Sequence, residues 1–230
     1  MSIDAQEKAV AETYLPVFMT DRNEPFRIQA IGYTVFHGCR RSDSFPKRII
    51  EMNACTETCV IEYAIWFDYD IQHLYELEHV WVYVDEKGTV SRVEGSFHGK
   101  YLNLMDLDTG KPILNAEGRL IVWMQPGKHA LLPDPRLVKI VPMWRECCME
   151  FAGAEGLDMP DAFRGWLPLL SEKDDRKVCE YIRKRYAFEP SLLFEEMRLG
   201  EDVLMPWSDL KRSIPDRIAK ELRKIGVDGI

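Results

Sequence analysis

Residues 60–84 read VIEYAIWFDYDIQHLYELEHVWVYV. Two runs rich in β-branched and aromatic residues flank a short polar centre that holds Asp68, Asp70, His73, Glu76, Glu78 and His79. Strand-forming flanks around such a centre predict a hairpin or strand pair whose junction carries chemistry. In an extended segment Glu76 and Glu78 point to the same face, with His73 just before them. Two carboxylates on one face repel each other unless a cation or protons neutralise them.

Strand signals extend on both sides of this stretch. Residues 27–36 (RIQAIGYTVF) read as a strand, with Gly32 as a possible bulge. The second strand covers 59–69. A hairpin follows, with strand 78–85, a turn at Glu86-Lys87-Gly88 and strand 89–95. His98 and Gly99 close it within SFHGKY (96–101). Residues 119–124 form a further strand, then a proline-rich turn presents Lys128 and His129, and 137–144 (LVKIVPMW) read as the last strand. Residues 3–14 suit a helix that Pro16 ends.

After about residue 150 the pattern changes to helix signals. Ser171 caps a segment with acids in its first turn and cations in its last. A final helix takes Ser213 as its cap, Pro215 in its first turn and Gly226 after its end. Strands first and helices after predict an antiparallel β-sandwich core with an α-helical C-terminal region, α+β overall. The expected division is a β-sandwich domain at 1–150 and a helical region at 151–230 packed on it.

Net charge is −8, which argues against general attraction to nucleic acid or anionic membrane. The first eight residues carry both signs of charge with no apolar run, so no signal peptide is read there. No stretch has the ~20 apolar residues of a spanning helix. The expectation is a cytoplasmic protein that is not integral to a membrane, with its six cysteines as thiols. Cys55-x3-Cys59 is half of a zinc pattern without a partner pair at finger spacing, and Cys147-Cys148 read as ordinary thiols.

All five histidines, His37, His73, His79, His98 and His129, fall in the β-rich part near predicted strand ends. Strand ends of a sandwich gather at its rims. A mixed histidine and carboxylate set suits a divalent cation. Nothing in the chain matches HExxH, Gly-x-Ser-x-Gly, a P-loop or a dinucleotide fingerprint.

The order of motifs resembles the superfamily of necrosis- and ethylene-inducing peptide-like cytolysins and the related vacuolar protein sorting family. Those chains carry Gly-His-Arg-His-Asp-Trp-Glu followed by His, before a valine-rich strand. The matching stretch here is Gln72-His73-Leu74-Tyr75-Glu76-Leu77-Glu78-His79, then VWVYV, with Glu76 in place of the Asp and Tyr75 in place of the second His. Ser96-Phe97-His98-Gly99-Lys100-Tyr101 and Gly127-Lys128-His129-Ala130 match two further elements, and the lead-in from Pro16 to Phe26 fits as well. The resemblance spans about 15–135. It implies a β-sandwich whose rim holds a divalent cation (magnesium, calcium or zinc) on His73, Glu76 and Glu78, with Asp68 or Asp70 supplying a further acid. It places His98 and His129 near the same rim. His79, Lys128 and Tyr101 are further candidates for contacts to a bound ligand. The cytolytic activity does not carry over, because the heptapeptide is broken and no export signal is present.

Three functions follow as expectations. The favoured one is non-enzymatic binding of a small molecule, glycan or lipid headgroup at the metal-bearing rim. The alternatives are a metal-dependent hydrolase built on His73, Glu76 and Glu78, and a scaffold that recruits a partner through its C-terminal helices.

Overall fold

The structure, a computed structural model, describes residues 3–157 and 170–227. In chain order the elements are α1 (Ile3–Thr13), β1 (Val17–Asp21), β2 (Ala30–Phe36), β3 (Arg40–Arg41), β4 (Ile49–Ile50), β5 (Glu57–Tyr69), β6 (Leu74–Asp85), β7 (Val90–Phe97) and β8 (Lys100–Asn103). There follow β9 (Ile121–Met124), β10 (Leu131–Leu132), 3-10 turns at Pro135–Ile140 and Glu146–Cys148, α2 (Glu172–Tyr186), β11 (Phe194–Glu196), β12 (Leu204–Pro206) and α3 (Trp207–Ile225). Part of the expected helical region, 158–169, lies outside the described residues. No helix among the described residues is long and apolar enough to cross a membrane. The cysteines are all free thiols.

The fold is α+β with a sheet-rich core. A six-stranded sheet has the order β12-β2-β5-β6-β7-β8, and a four-stranded sheet has the order β10-β9-β1-β11. The long β5–β6 pair forms the centre, from Glu57 opposite Asp85 to Tyr69 opposite Leu74. Its near-continuous apolar sequence follows from burial on both faces, which removes the need for a polar side. Val80, Val82 and Val84 enter the main core, while Trp81 and Tyr83 alternate onto the other face and join a smaller cluster with Phe36, Ile50 and Val60.

The hairpin turns follow the sequence closely. Asp85 Oδ1 accepts from the backbone N–H groups of Lys87 and Thr89, each at 2.8 Å, and closes the β6–β7 turn. His98 and Gly99 both take positive φ (47° and 74°), as the tight β7–β8 turn requires. Ser171 and Asp174 form a reciprocal capping box at the start of α2.

Four details differ from the sequence reading. The sheets are mixed: β9 runs parallel to β1, and β12 runs parallel to β2. The region after 150 is not purely helical, because it supplies β11 to one sheet and β12 to the other. Gly32 is not a bulge; it pairs in register with Ala64, and its missing side chain lets α3 approach. A Cβ there would lie 3.0 Å from the Trp207 ring and 3.1 Å from Leu210 Cδ2. Residues 137–144 form no strand; Asp134 accepts from the Arg136 N–H and Pro135 sits at the start of a 3-10 turn.

The last helix also starts earlier than expected, at Trp207, which leaves Ser213 and Pro215 inside it. Ser213 Oγ donates to the Leu210 carbonyl rather than capping. An interior proline costs about 3 kcal/mol. Leu210, Ile214, Ile218 and Leu222 lie on one stripe and are all buried, and each contributes about 1.5–3 kcal/mol. The stripe outweighs the break.

The two sheets meet where Leu131 of β10 and Leu104 press on Gly95 of β7. A Cβ at residue 95 would sit 2.4 Å from Leu104 Cδ1 and 2.9 Å from Leu131 Cδ1. Gly95→Ala is expected to destabilise the fold by about 1–3 kcal/mol through overpacking. Urea unfolding with an unchanged slope and a lower midpoint is the measurement that checks this.

Candidate metal centre

The turn between β5 and β6 consists of Asp70, Ile71, Gln72 and His73. Asp70 N–H donates to the His73 carbonyl at 3.0 Å, and Asp70 Oδ1 accepts from Gln72 N–H at 2.5 Å. Two other turns hold this loop from outside. Ile71 N–H donates to the Gly127 carbonyl at 2.8 Å, Gly153 N–H donates to the Ile71 carbonyl at 2.8 Å, and Glu155 N–H donates to the Gln72 carbonyl at 2.9 Å. Two segments distant in sequence therefore converge on these four residues.

One donor atom each from Asp70, His73 and Glu76 lies within 4.8 Å of the other two. His73 Nε2 is central, 3.9 Å from Asp70 Oδ2, 3.7 Å from Glu76 Oε2 and 3.9 Å from Glu155 Oε2. Lys128 Nζ lies 2.9 Å from Asp70 Oδ2, 3.1 Å from Oδ1 and 3.4 Å from Glu155. Only Oδ1 meets Lys128 with hydrogen-bond geometry, and Oδ2 is buried without a hydrogen bond.

The charges set each other. Burial pushes the Asp70 carboxyl up, yet His73 and Lys128 more than reverse this and hold it below the usual carboxylate range. Burial pulls the His73 imidazole down, and the Asp70 and Glu76 carboxylates raise it above its ordinary value. Burial likewise opposes the Lys128 charge, but Asp70 and Glu155 raise it.

The other candidates are placed elsewhere. Glu78 shares a strand face with Glu76 but is buried; Ser96 Oγ donates to its Oε2, and it is not among the three clustered donors. Its carboxyl is pushed well up, by burial first and then by the Glu76 charge. Of the two ways to relieve paired carboxylates, burial of Glu78 favours the proton. Asp68 accepts from Trp66 Nε1 at 2.9 Å and feels the charges of Glu221, Arg217 and Lys220 on α3.

The histidines do not converge. His129 is fully buried beneath the site, stacked on Phe67 with 3.8 Å between ring centroids, and its Nε2 is 3.5 Å from Glu24. His98 Nε2 pairs with Gln125 at 2.9 Å. His79 lies inside β6 rather than at its end, with Nε2 3.0 Å from Ser44 Oγ; burial and then the Arg48 charge pull its imidazole down to about 3. Tyr101 packs over Arg48 on that same opposite face. Cys55 is exposed and Cys59 buried, and neither enters a cluster of metal-ligating side chains among the described residues. Cys147 and Cys148 are both buried, with sulfurs 3.8 Å apart.

Glu155 is the site residue that the sequence reading missed. It sits in Gly153-Ala154-Glu155-Gly156, whose two glycines have positive φ. That glycine pair is a turn signal inside a region read as helical.

No protein-family model, no curated protein and no solved structure matches the chain.

Glu78→Gln tests the proton held on the strand face. An unfolded glutamate ionises near its ordinary pKa of about 4.3, whereas the folded carboxyl keeps its proton to higher pH. Folding therefore takes up a proton above about pH 4.3, and this stability is lost as pH rises through the folded pKa. Gln has no proton to lose. The variant is expected to melt higher than wild type at pH 8 and to show no such gain at pH 4. Melting curves across that range check it.

Proposed function

We propose that this protein is a non-enzymatic binding protein whose rim takes a divalent cation on Asp70, His73 and Glu76, with Glu155 on the outer side. The observation that carries this reading is the convergence of donor atoms from Asp70, His73 and Glu76 within 4.8 Å, at a turn where buried Asp70 Oδ2 accepts no hydrogen bond and is met only by the Lys128 ion pair at 2.9 Å and by His73. Donors bound ~2.0–2.2 Å from one ion in tetrahedral geometry are about 3.4 Å apart. The 3.7 and 3.9 Å spacings around His73 Nε2 need only a small contraction. The likeness of residues 72–79 to the cytolysin motif points to the same turn as a cation site.

An imidazole among carboxylates favours zinc or manganese over magnesium or calcium. With His73 neutral, Asp70, Glu76 and Glu155 bring three negative charges and Lys128 one positive charge, so the cluster retains an excess of two that a divalent ion balances. Burial supports binding over hydrolysis. The His73 and Glu76 side chains are only 11% and 18% exposed, which leaves little space for substrate beside them. Glu155, at 43%, is the open side. A sugar hydroxyl or a headgroup phosphate would complete the coordination there.

Calorimetric titration with zinc and with manganese, paired with melting, tests the reading. At a hundredfold excess over Kd the bound ion is expected to stabilise the fold by about 2.7 kcal/mol. Asp70→Asn should abolish the effect. Lys128→Met should tighten binding, because it removes the ammonium that competes for Asp70. Binding should weaken as pH falls through the raised His73 pKa, since the proton occupies the ligand nitrogen. If neither ion produces heat or shifts the midpoint of wild type or of Lys128→Met, the cluster is an ion-pair lock and the reading fails.

A further inference from the structure

The opposite face of β6 carries a second constellation, independent of the rim. The Arg48 guanidinium lies between two aromatic rings, 3.8 Å from the Trp81 centroid and 3.9 Å from that of Tyr101. Its Nη2 donates to Tyr83 Oη at 3.0 Å and to Glu94 Oε2. Two π faces, a phenol and a carboxylate thus surround one cation. Aromatic walls with a nearby acid recognise weakly hydrated cations, because the ring faces are negative.

Arg48 fits this cage poorly. A guanidinium has five N–H donors that all seek acceptors. Here Nη2 is satisfied, while Nε and Nη1 are buried without a partner. A cation whose N–H groups are replaced by methyls makes the same π contacts and leaves no donor stranded.

Arg48 also arrives on a segment that shares no main-chain ladder with the large sheet. Among the described residues, β3 and β4 pair only with each other, and the main-chain bonds at Ser42 and Arg48 stay within 42–48. The segment is fixed by side chains: Ser44 Oγ donates to Glu62 at 2.6 Å, Ile50 is buried in the smaller cluster, Phe45 packs edge-on to Trp81, Arg92 donates to the Glu51 carbonyl at 2.7 Å, and Asp43 accepts from Trp207 Nε1 of α3 at 2.8 Å. Its far side, at Arg40, Arg41 and Asp43, borders an open cavity of about 310 Å³ against Tyr33 and Trp207. Tyr101, the outer wall of the cage, is 47% exposed.

We propose that Trp81, Tyr101, Tyr83 and Glu94 form a recognition cage for a methylated ammonium group, which Arg48 occupies in cis until segment 39–52 moves off. Arg92, 3.5 Å over the Tyr83 ring and 3.6 Å from Glu94, stays in place and keeps the carboxylate only partly neutralised. The ligand class is a quaternary or dimethylated amine, either free or carried on a larger molecule.

The test titrates wild type, Arg48→Ala and Arg48→Ala/Tyr101→Ala with tetramethylammonium chloride against sodium chloride of equal ionic strength. Calorimetry and melting are the readouts. Removing the resident cation is expected to tighten binding roughly tenfold, within the range of a desolvated cation–π contact. The double variant should lose that gain. Arg48→Ser, which also empties the cage, is the second opened variant if alanine prevents folding. A folded Arg48 variant that binds no tighter than wild type overturns the proposal, as does a double variant that binds as well as the single one.

Discussion

One buried charge governs the top of this fold. Asp70 is fully enclosed and stays ionised, and a carboxylate cannot remain so in an apolar interior without partners. The chain supplies them from two places: the Gln72 amide and the His73 imidazole within the same turn, and Lys128 from the turn before β10. Lys128 brings its own turn with it and, through its ion pair with Glu155, the Gly153–Gly156 turn. The Gly127 and Gly153–Gly156 turns are therefore anchored to the β5–β6 loop by backbone bonds as well as by charge. Breaking one side of such a pair leaves an uncompensated charge, which costs far more than the pair gains when whole.

The central sheet then separates two kinds of chemistry. Alternation along β6 sends Glu76 and Glu78 one way and His79, Trp81 and Tyr83 the other. On the first side an ammonium and an imidazole lie against the carboxylates, and burial favours the protonated form of Glu78. On the second, rings and a guanidinium dominate, and Glu62 is held between Ser44 and Trp81 Nε1 at 2.6 and 2.7 Å. A single strand thus carries hard oxygen donors and soft π donors within ten residues, kept apart by its own pleat.

Local signals in the sequence were legible where the cause is local. The β5–β6 and β6–β7 hairpins, the Ser171 cap and the αL Gly226 all depend on residues within a few positions of one another. The rim cluster was half legible. His73 and Glu76 stand in the quoted stretch, but the choice of Asp70 over Asp68 depends on α3, whose side chains face Asp68. Glu155 joins through a turn more than eighty residues away, and no periodicity announces it. Residues 137–144 were misread because their apolar content resembles a strand, while Pro135 and the Asp134 cap decide the geometry. Ser213 was misread because a good cap residue and a proline occur where buried packing overrides both.

The placement of the last strands has a consequence for synthesis. Met19 faces Glu196 in one sheet, and Ile31 faces Leu204 in the other. Asp21 is further tied down by Ser191 and Leu192. Both sheets thus wait for the final part of the chain, and contacts this distant in sequence form slowly because the loop they close is long. On the ribosome the β5–β6–β7 meander can form early from neighbouring residues, but β1 and β2 present bare edges until β11 and β12 emerge. Unpaired edges of this kind template pairing with other chains. The growing polypeptide is most exposed to aggregation just before its last strands appear, and a stop or frameshift between β10 and β11 leaves that vulnerable state permanent.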